Sequence, residues 1–191
     1  VGAIRFLRNF VARPVTTGAV VPSSNALAEL ITDAADVQNA KVVIEFGTGT
    51  GVFTEKIVRK LPRQAQFFAI EINPDFARLT RERCPTVTVH EDSAVNAVRY
   101  LKSVGHAQCD SIVCGLPWAS FPEDLQDDLL HTVRQVLKPG GALATFAYLQ
   151  GVLLPAGQRF REKLKANFGS VSTTRTVWMN LPPAFVYRAV R

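Results

Sequence analysis

The sequence predicts an α/β domain: a seven-stranded, mostly parallel sheet with a terminal antiparallel strand and helices on both faces. Three observations predict it. Short, branched, apolar runs alternate with segments whose apolar residues recur at helical spacing. The connections between them are short, which places consecutive strands in one sheet. The last two strand-like runs have no helix between them, so the closing strand runs antiparallel. The 191 residues are 47% apolar and 20% charged, which suits one packed domain and excludes a disordered chain. No repeat or linker divides residues 1–191.

The elements follow in order. Residues 41–46 (KVVIEF) read as a buried parallel strand ending at glycine. In 51–61, Val52, Phe53, Ile57, Val58 and Leu61 fall at helical spacing, and Pro62 stops the helix. Residues 66–71 (QFFAIE) are the second strand. Asn73-Pro74 is an N-cap followed by proline at the first helical position, opening a helix that runs to about Cys84. Residues 86–90 are the third strand, 96–104 the third helix and 110–114 the fourth strand. Phe121-Pro122-Glu123 opens a helix with Leu125, Leu129, Val133 and Val136 on one face, closed by Lys138-Pro139-Gly140-Gly141. Residues 142–149 are the fifth strand and 156–168 a helix. Residues 173–179 and 185–190 form a closing hairpin.

The charge balance, 22 Lys+Arg against 16 Asp+Glu, gives +6. It favours an anionic partner (nucleic acid, an anionic membrane surface or a phosphorylated ligand) or serves solubility. No apolar run reaches the roughly 18 residues of a membrane-spanning helix, and no signal-peptide pattern is present. Cys84, Cys109 and Cys114 lack CxxC spacing, which argues against a disulfide framework or a thiolate metal site and fits a reducing compartment. His90, His106 and His131 are scattered, so no metal is expected. Residues 1–13 set Ala3, Ile4, Leu7, Phe10 and Val11 on one helical face, with Arg5, Arg8, Asn9 and Arg13 largely on the other. Such a helix lies in an anionic bilayer interface or packs on the domain. The chain starts at Val1 without an initiating Met, so residues upstream of it are expected.

The sharpest motif is Glu45-Phe46-Gly47-Thr48-Gly49-Thr50-Gly51, between a strand and a helix. Glycines there permit a tight turn and close backbone approach to a ligand. The spacing departs from the dinucleotide GxGxxG fingerprint. Glu45 would repel a pyrophosphate and suits a cationic amine, which points from nicotinamide dinucleotides to S-adenosylmethionine. Glu71 ends the second strand, placed to accept hydrogen bonds from both ribose hydroxyls. Asp92-Ser93-Ala94 follows the third strand: Asp92 is either a partner for an adenine amine, a helix N-cap, or both. Cys114-Gly115-Leu116-Pro117-Trp118 follows the fourth strand, and a Pro-aromatic turn there sets a carbonyl and a ring face beside a reactive methyl. Trp118 serves the substrate or the core. Tyr148 ends the fifth strand and is a candidate contact for a substrate amine, which spacing alone does not place. Apolar residues 151–155 followed by Arg159, Arg161, Lys163 and Lys165 suit an acyl chain beside a phosphate, or an ordinary amphipathic helix.

Taken together, EFGTGTG, the AIE of the second strand, EDSA, GLPW and LKPGG resemble a class I S-adenosylmethionine-dependent methyltransferase, with its Rossmann-like fold, over nearly the whole chain. The blocks RPVTTGAVVPS (13–23), EINPDF (71–76), GLP (115–117) and WMNLPPA (178–184) are most similar to bacterial phospholipid (phosphatidylethanolamine) N-methyltransferases of the soluble, peripheral type. A more distant resemblance is to ribosomal RNA adenine dimethylases. Gly115 stands where those have the asparagine of an Asn-Leu-Pro-aromatic turn, and their helical RNA-binding domain would follow Arg191.

The resemblance implies that Glu45, Gly47, Thr48, Gly49 and Gly51 hold the methionine end of the cofactor, while Thr17 and Gly18 close over it. Glu71 takes the ribose, Ile72 and Phe76 pack near the adenine, and Asp92, Ser93 and Ala94 surround its edge. Gly115, Leu116 and Pro117 face the methyl group. The implied reaction converts phosphatidylethanolamine stepwise to phosphatidylcholine, leaving S-adenosylhomocysteine. It implies a cytoplasmic enzyme attached peripherally to the inner face of an anionic membrane, with no nucleic acid. An RNA or small-amine methyltransferase, or a non-catalytic membrane-surface module, are the alternatives.

Overall fold

Strands β1 (Val42–Phe46), β2 (Gln66–Glu71), β3 (Thr88–Glu91), β4 (Cys109–Cys114), β5 (Leu137–Tyr148), β6 (Ser170–Thr173) and β7 (Ala184–Val190) form one sheet in the order β3-β2-β1-β4-β5-β7-β6. The computed structural model describes residues 23–191. Every residue of β1 is buried, as an unbroken apolar run requires of a strand covered on both faces. β7 pairs antiparallel with both β5 and β6. The last strand of the chain is therefore the antiparallel one, and it lies one position in from the edge.

Among the described residues, seven helices accompany the sheet: α1 (Asn25–Ala34), α2 (Val52–Lys60), α3 (Pro74–Arg83), α4 (Ala97–Ser103), α5 (Glu123–Val136), α6 (Leu149–Val152) and α7 (Pro155–Asn167). The two-residue alternation of the strands sorts them into layers. Ile44, Phe46, Phe68, Ile70, Ile112 and Leu143 share a core with Leu101 of α4, Leu125 and Leu129 of α5 and Phe160 of α7. Val43, Val113, Ala144 and Val186 point the other way, onto Leu27 and Ile31 of α1 and Phe53 and Ile57 of α2. Ala77 of α3 packs on Ala69 of β2 and Val89 of β3. Asn73 caps α3 as its sequence predicts, its side chain accepting from Asp75 and Phe76 N–H with Pro74 in the first turn.

Three expectations change. Helix α1 is not among the predicted elements, although Ser24 caps it by accepting from Leu27 N–H and Leu27, Ala28, Ile31 and Thr32 form its buried stripe. β5 starts at Leu137 rather than 142, because Leu137 pairs with Cys109 across a register shift before the ladder resumes at Ala142. The predicted strand at 173–179 is replaced by β6 ending at Thr173, after which only Val177 bridges to Ala184. The amphipathic helix expected at 1–13 lies outside the described residues.

Candidate functional site

β1 leads through α2 to β2 on one side, while β4 sits on its other side and leads to β5. At such a reversal the loops beyond the strand ends part, and the crevice between them takes ligands. Gly47 and Gly115 are the first residues past β1 and β4. Gly115 N–H donates to Phe46 O at 2.8 Å and Gly47 N–H to Ile70 O at 2.9 Å. The loops are so close that a Cβ on Gly115 would lie 2.5 Å from Gly47 O, and one on Gly47 would lie 2.7 Å from Leu116 Cδ2. Gly47, Gly49 and Gly51 all have positive φ (75°, 52° and 80°), the backbone region that glycine alone enters freely. The shallow cleft beside them is lined by Gly47, Ile70, Ile72, Asp92, Ser93, Ala94, Leu116 and Leu129.

Two buried carboxylates stand at the ends of β1 and β2 beside the glycine loop. Glu45 is fully buried; its Oε2 accepts from Thr54 Oγ1 at 2.7 Å, and its Oε1 has no partner among the described residues. Burial pushes its pKa up to about 8; the Thr54 hydrogen bond opposes this and the nearby Glu71 charge adds to it. Glu71 Oε1 accepts from Asn73 N–H at 2.9 Å, and its Oε2 accepts from Gly49 N–H at 3.0 Å and Thr48 Oγ1 at 3.5 Å. Burial raises its pKa too, with backbone donors holding it down. The Glu71 carboxylate thus folds the glycine loop around itself through donors from both sides of the loop. Thr80 on α3 reinforces the loop, donating to Thr48 Oγ1 at 2.8 Å. Sequence reasoning missed Thr54 and Thr80, because a threonine inside a helix carries no signal of its partner.

The remaining expected residues divide. Asp92, Ser93 and Ala94 line the cleft. The helix cap there is Ser93, which accepts from Val95 N–H. The Asp92 carboxylate accepts from Ser93 N–H, from Asn96 Nδ2 through both oxygens, and from Tyr100 OH at 2.8 Å. These three donors fix the carboxylate in the cleft wall, where its part in binding an adenine edge stays an expectation. Ile72 and Leu116 line the cleft, whereas Phe76 sits half-buried on the first turn of α3. Pro117 opens a 3-10 turn, Trp118–Ser120.

Trp118 is a core residue, 2% exposed, and not a substrate platform. Its ring stacks on Phe160 with centroids 4.9 Å apart, and its Nε1 donates to Thr145 Oγ1 at 3.0 Å. Thr145 in turn donates to Cys114 O, so Trp118 braces the turn that carries Gly115. Trp118→Phe keeps the stack and loses the hydrogen bond; thermal unfolding is expected to show a loss of about 1 kcal/mol.

Tyr148 packs with the α1–α2 layer, edge-on to Phe146, on the opposite side of the sheet from the cleft-lining Ile70 and Leu129. Burial raises its pKa above the ordinary phenol value, so its hydroxyl stays protonated and is no base. Arg159 is ion-paired with Glu123 at 3.2 Å, Arg161 is exposed on α7, and neither lines the cleft. Thr17 and Gly18 lie outside the described residues. Among the described residues no cluster of His, Cys, Asp or Glu is arranged to hold a metal ion, and no helix is long and apolar enough to cross a membrane.

The residues present fit S-adenosylmethionine. Glu45 Oε1, buried and unpartnered among the described residues, matches a cationic amine, and the crowded Gly47–Gly115 contact leaves bare backbone facing the cleft.

The chain is similar to known methyltransferases in sequence and in fold. An ornithine lipid N-methyltransferase of Singulisphaera acidiphila is 34% identical over 185 residues, covering 95% of this chain and 92% of its own. An O-methyltransferase of Bacillus cereus, solved with S-adenosylhomocysteine, superposes with a TM-score of 0.72 at 15% identity over 100% of this chain and 91% of its own. The O-methyltransferase TomG of Streptomyces achromogenes, solved with S-adenosylmethionine, gives 0.70 at 21% identity over 100% and 90%. The methyltransferase domain family matches residues 43–141, the segment from β1 into β5 that builds the cleft. The chain belongs to the S-adenosylmethionine-dependent methyltransferase family.

Proposed function

We propose that this protein N-methylates the amine head group of a membrane lipid, converting phosphatidylethanolamine stepwise to phosphatidylcholine at the surface of an anionic membrane. The observation that carries the reading is the near full-length similarity to a lipid N-methyltransferase. That relative also favours a second acceptor, an ornithine lipid, which offers an amine of the same kind.

The absence of a side chain at Gly115 supports an alkyl amine over an adenine. A planar exocyclic amine needs a side-chain acceptor to orient it, and the 2.5 Å approach to Gly47 O leaves no room for one. An aliphatic amine needs only a carbonyl or two and correct alignment. When bound, S-adenosylmethionine would supply an electrophilic sulfonium methyl whose leaving group is a neutral thioether. Glu45 would hold the cofactor's ammonium and Glu71 its ribose, and the backbone at 115–117 would orient the lipid nitrogen. The attacking amine must be neutral. With Tyr148 on the other side of the sheet, its proton leaves through a backbone-bound water to solvent. The enzyme's contribution is chiefly alignment and exclusion of competing nucleophiles.

The test is methyl-labelled S-adenosylmethionine with vesicles of phosphatidylethanolamine and phosphatidylglycerol, and separately with ornithine lipid. Label in mono-, di- and trimethylated ethanolamine lipids is expected. Label confined to ornithine lipid would move the substrate to the second reading. Label that enters RNA and no lipid would overturn both.

A further inference from the structure

The turn before β7 is built inside out. Asn180 is 3% exposed, while Trp178, Met179 and Leu181 around it are 70%, 88% and 70% exposed. The polar residue turns inward because it holds the turn in shape: Asn180 Oδ1 accepts from Ser24 N–H at 2.9 Å and its Nδ2 donates to Pro182 O at 2.8 Å. The apolar residues are thereby presented outward on a pinned loop. Three large apolar side chains in water at one turn mark an interaction site.

The location narrows the partner. Tyr148 at the end of β5 pairs with Ala184 at the start of β7, and Leu149 N–H donates to Pro183 O at 2.9 Å. The turn therefore stands at the end of the sheet where the glycine loop and the 115–117 turn open. Leu153 and Leu154, 78% and 59% exposed, follow directly after α6. Neither 142–161 nor 168–191 contains an acidic residue, while Arg159, Arg161 and Arg175 lie in them. Arg175 is exposed, three residues from Trp178. An apolar tip carrying tryptophan and flanked by cations complements the interface of an anionic bilayer, where the indole sits at head-group depth.

We infer that the Val177–Leu181 turn is a membrane wedge: Trp178, Met179 and Leu181 enter the interface of an anionic bilayer and set the mouth of the cleft against the head groups. The inference rests on the lipid-amine reading above and adds to it the surface that docks.

The experiment records tryptophan emission of the whole chain as phosphatidylglycerol/phosphatidylethanolamine vesicles are added, with Trp178→Phe as the subtraction that removes the buried Trp118 signal. The Trp178 emission is expected to start as that of an exposed indole, shift to the blue on binding, and be quenched by bromine-labelled acyl chains. The double variant Met179→Ser/Leu181→Ser is expected to sediment with these vesicles about tenfold more weakly. Its melting temperature and its methylation of detergent-dispersed lipid should stay unchanged. A Trp178 already shielded before vesicles are added, as coverage by residues 1–22 or a second copy would produce, overturns the wedge. So does vesicle binding that leaves Trp178 unshifted and the double variant unimpaired, or no vesicle binding by the wild type. In each of these cases, labelling of dispersed lipid would leave the substrate reading standing. Labelling of no lipid, dispersed or in vesicles, is the separate failure of that reading.

Discussion

Glu45→Gln is expected to weaken S-adenosylmethionine binding about 30-fold or more, an effect of roughly 2 kcal/mol for removing one partner of a buried charge pair. Glu45 is fully buried with one oxygen unpartnered among the described residues, and burial holds its pKa at about 8. At neutral pH in the empty protein it therefore carries its proton, and a bound ammonium draws the proton off. Isothermal titration in buffers of different ionisation enthalpy should show proton release on binding below pH 8, absent from the variant.

The same carboxyl makes a stability signature with a defined sign. The folded-state pKa lies above the unfolded value near 4.5. The native state binds the proton more tightly, so its contribution is fully present below pH 4.5 and is lost as pH rises through 8. Each pH unit in that window costs up to about 1.4 kcal/mol. Denaturant unfolding of the cofactor-free protein should show stability falling across it, and Glu45→Gln should flatten the slope. Equal slopes and equal affinity in the two proteins would show that Glu45 carries neither role.

Gly115→Asn carries the second large effect. A Cβ there meets a backbone oxygen, Gly47 O, at 2.5 Å, so relief requires moving one of the two loops that make the cleft. We expect about 3 kcal/mol of lost stability, the range of severe overpacking. A loss of about 100-fold or more in kcat/KM is expected, because alignment of the reacting atoms is the enzyme's main contribution. Gly151→Ala is the control: it has open space around the added Cβ and no positive φ, and its stability is expected to stay within about 0.5 kcal/mol. A well-folded, active Gly115→Asn enzyme would mean that the loops separate freely and that Gly115 does not select the acceptor.

Much of this fold is legible in the sequence. The KVVIEF and QFFAIE runs declare buried strands because a parallel strand covered on both faces has no polar side. The glycine loop, Glu45 and Glu71 are legible because the loop is built by contiguous residues and each acid stands at a strand end. Helix α1 is also within reach: Ser24 followed by Leu27, Ala28 and Ile31 is a cap and a stripe, a signal weaker than the strand–helix pattern that follows it.

Other features depend on partners far along the chain. Trp118 is ambiguous until Thr145 and Phe160 are beside it. The orientation of the Asp92 carboxylate is undefined until Asn96 and Tyr100 hold it. Tyr148 changes role because alternation along β5 turns it to the other face. The 173–179 run has strand composition, yet the hydrogen bond from Ser24 to Asn180, across 156 residues of chain, helps pull it into an apolar-out turn.

Sequence by itself determined the fold class, the strand-end carboxylates and the glycine loop, because periodicity and local spacing suffice for these. Tertiary structure alone decided which side chains face the cleft, which are already satisfied and which apolar residues stay exposed, because each depends on burial and hydrogen bonds contributed by residues distant in the chain.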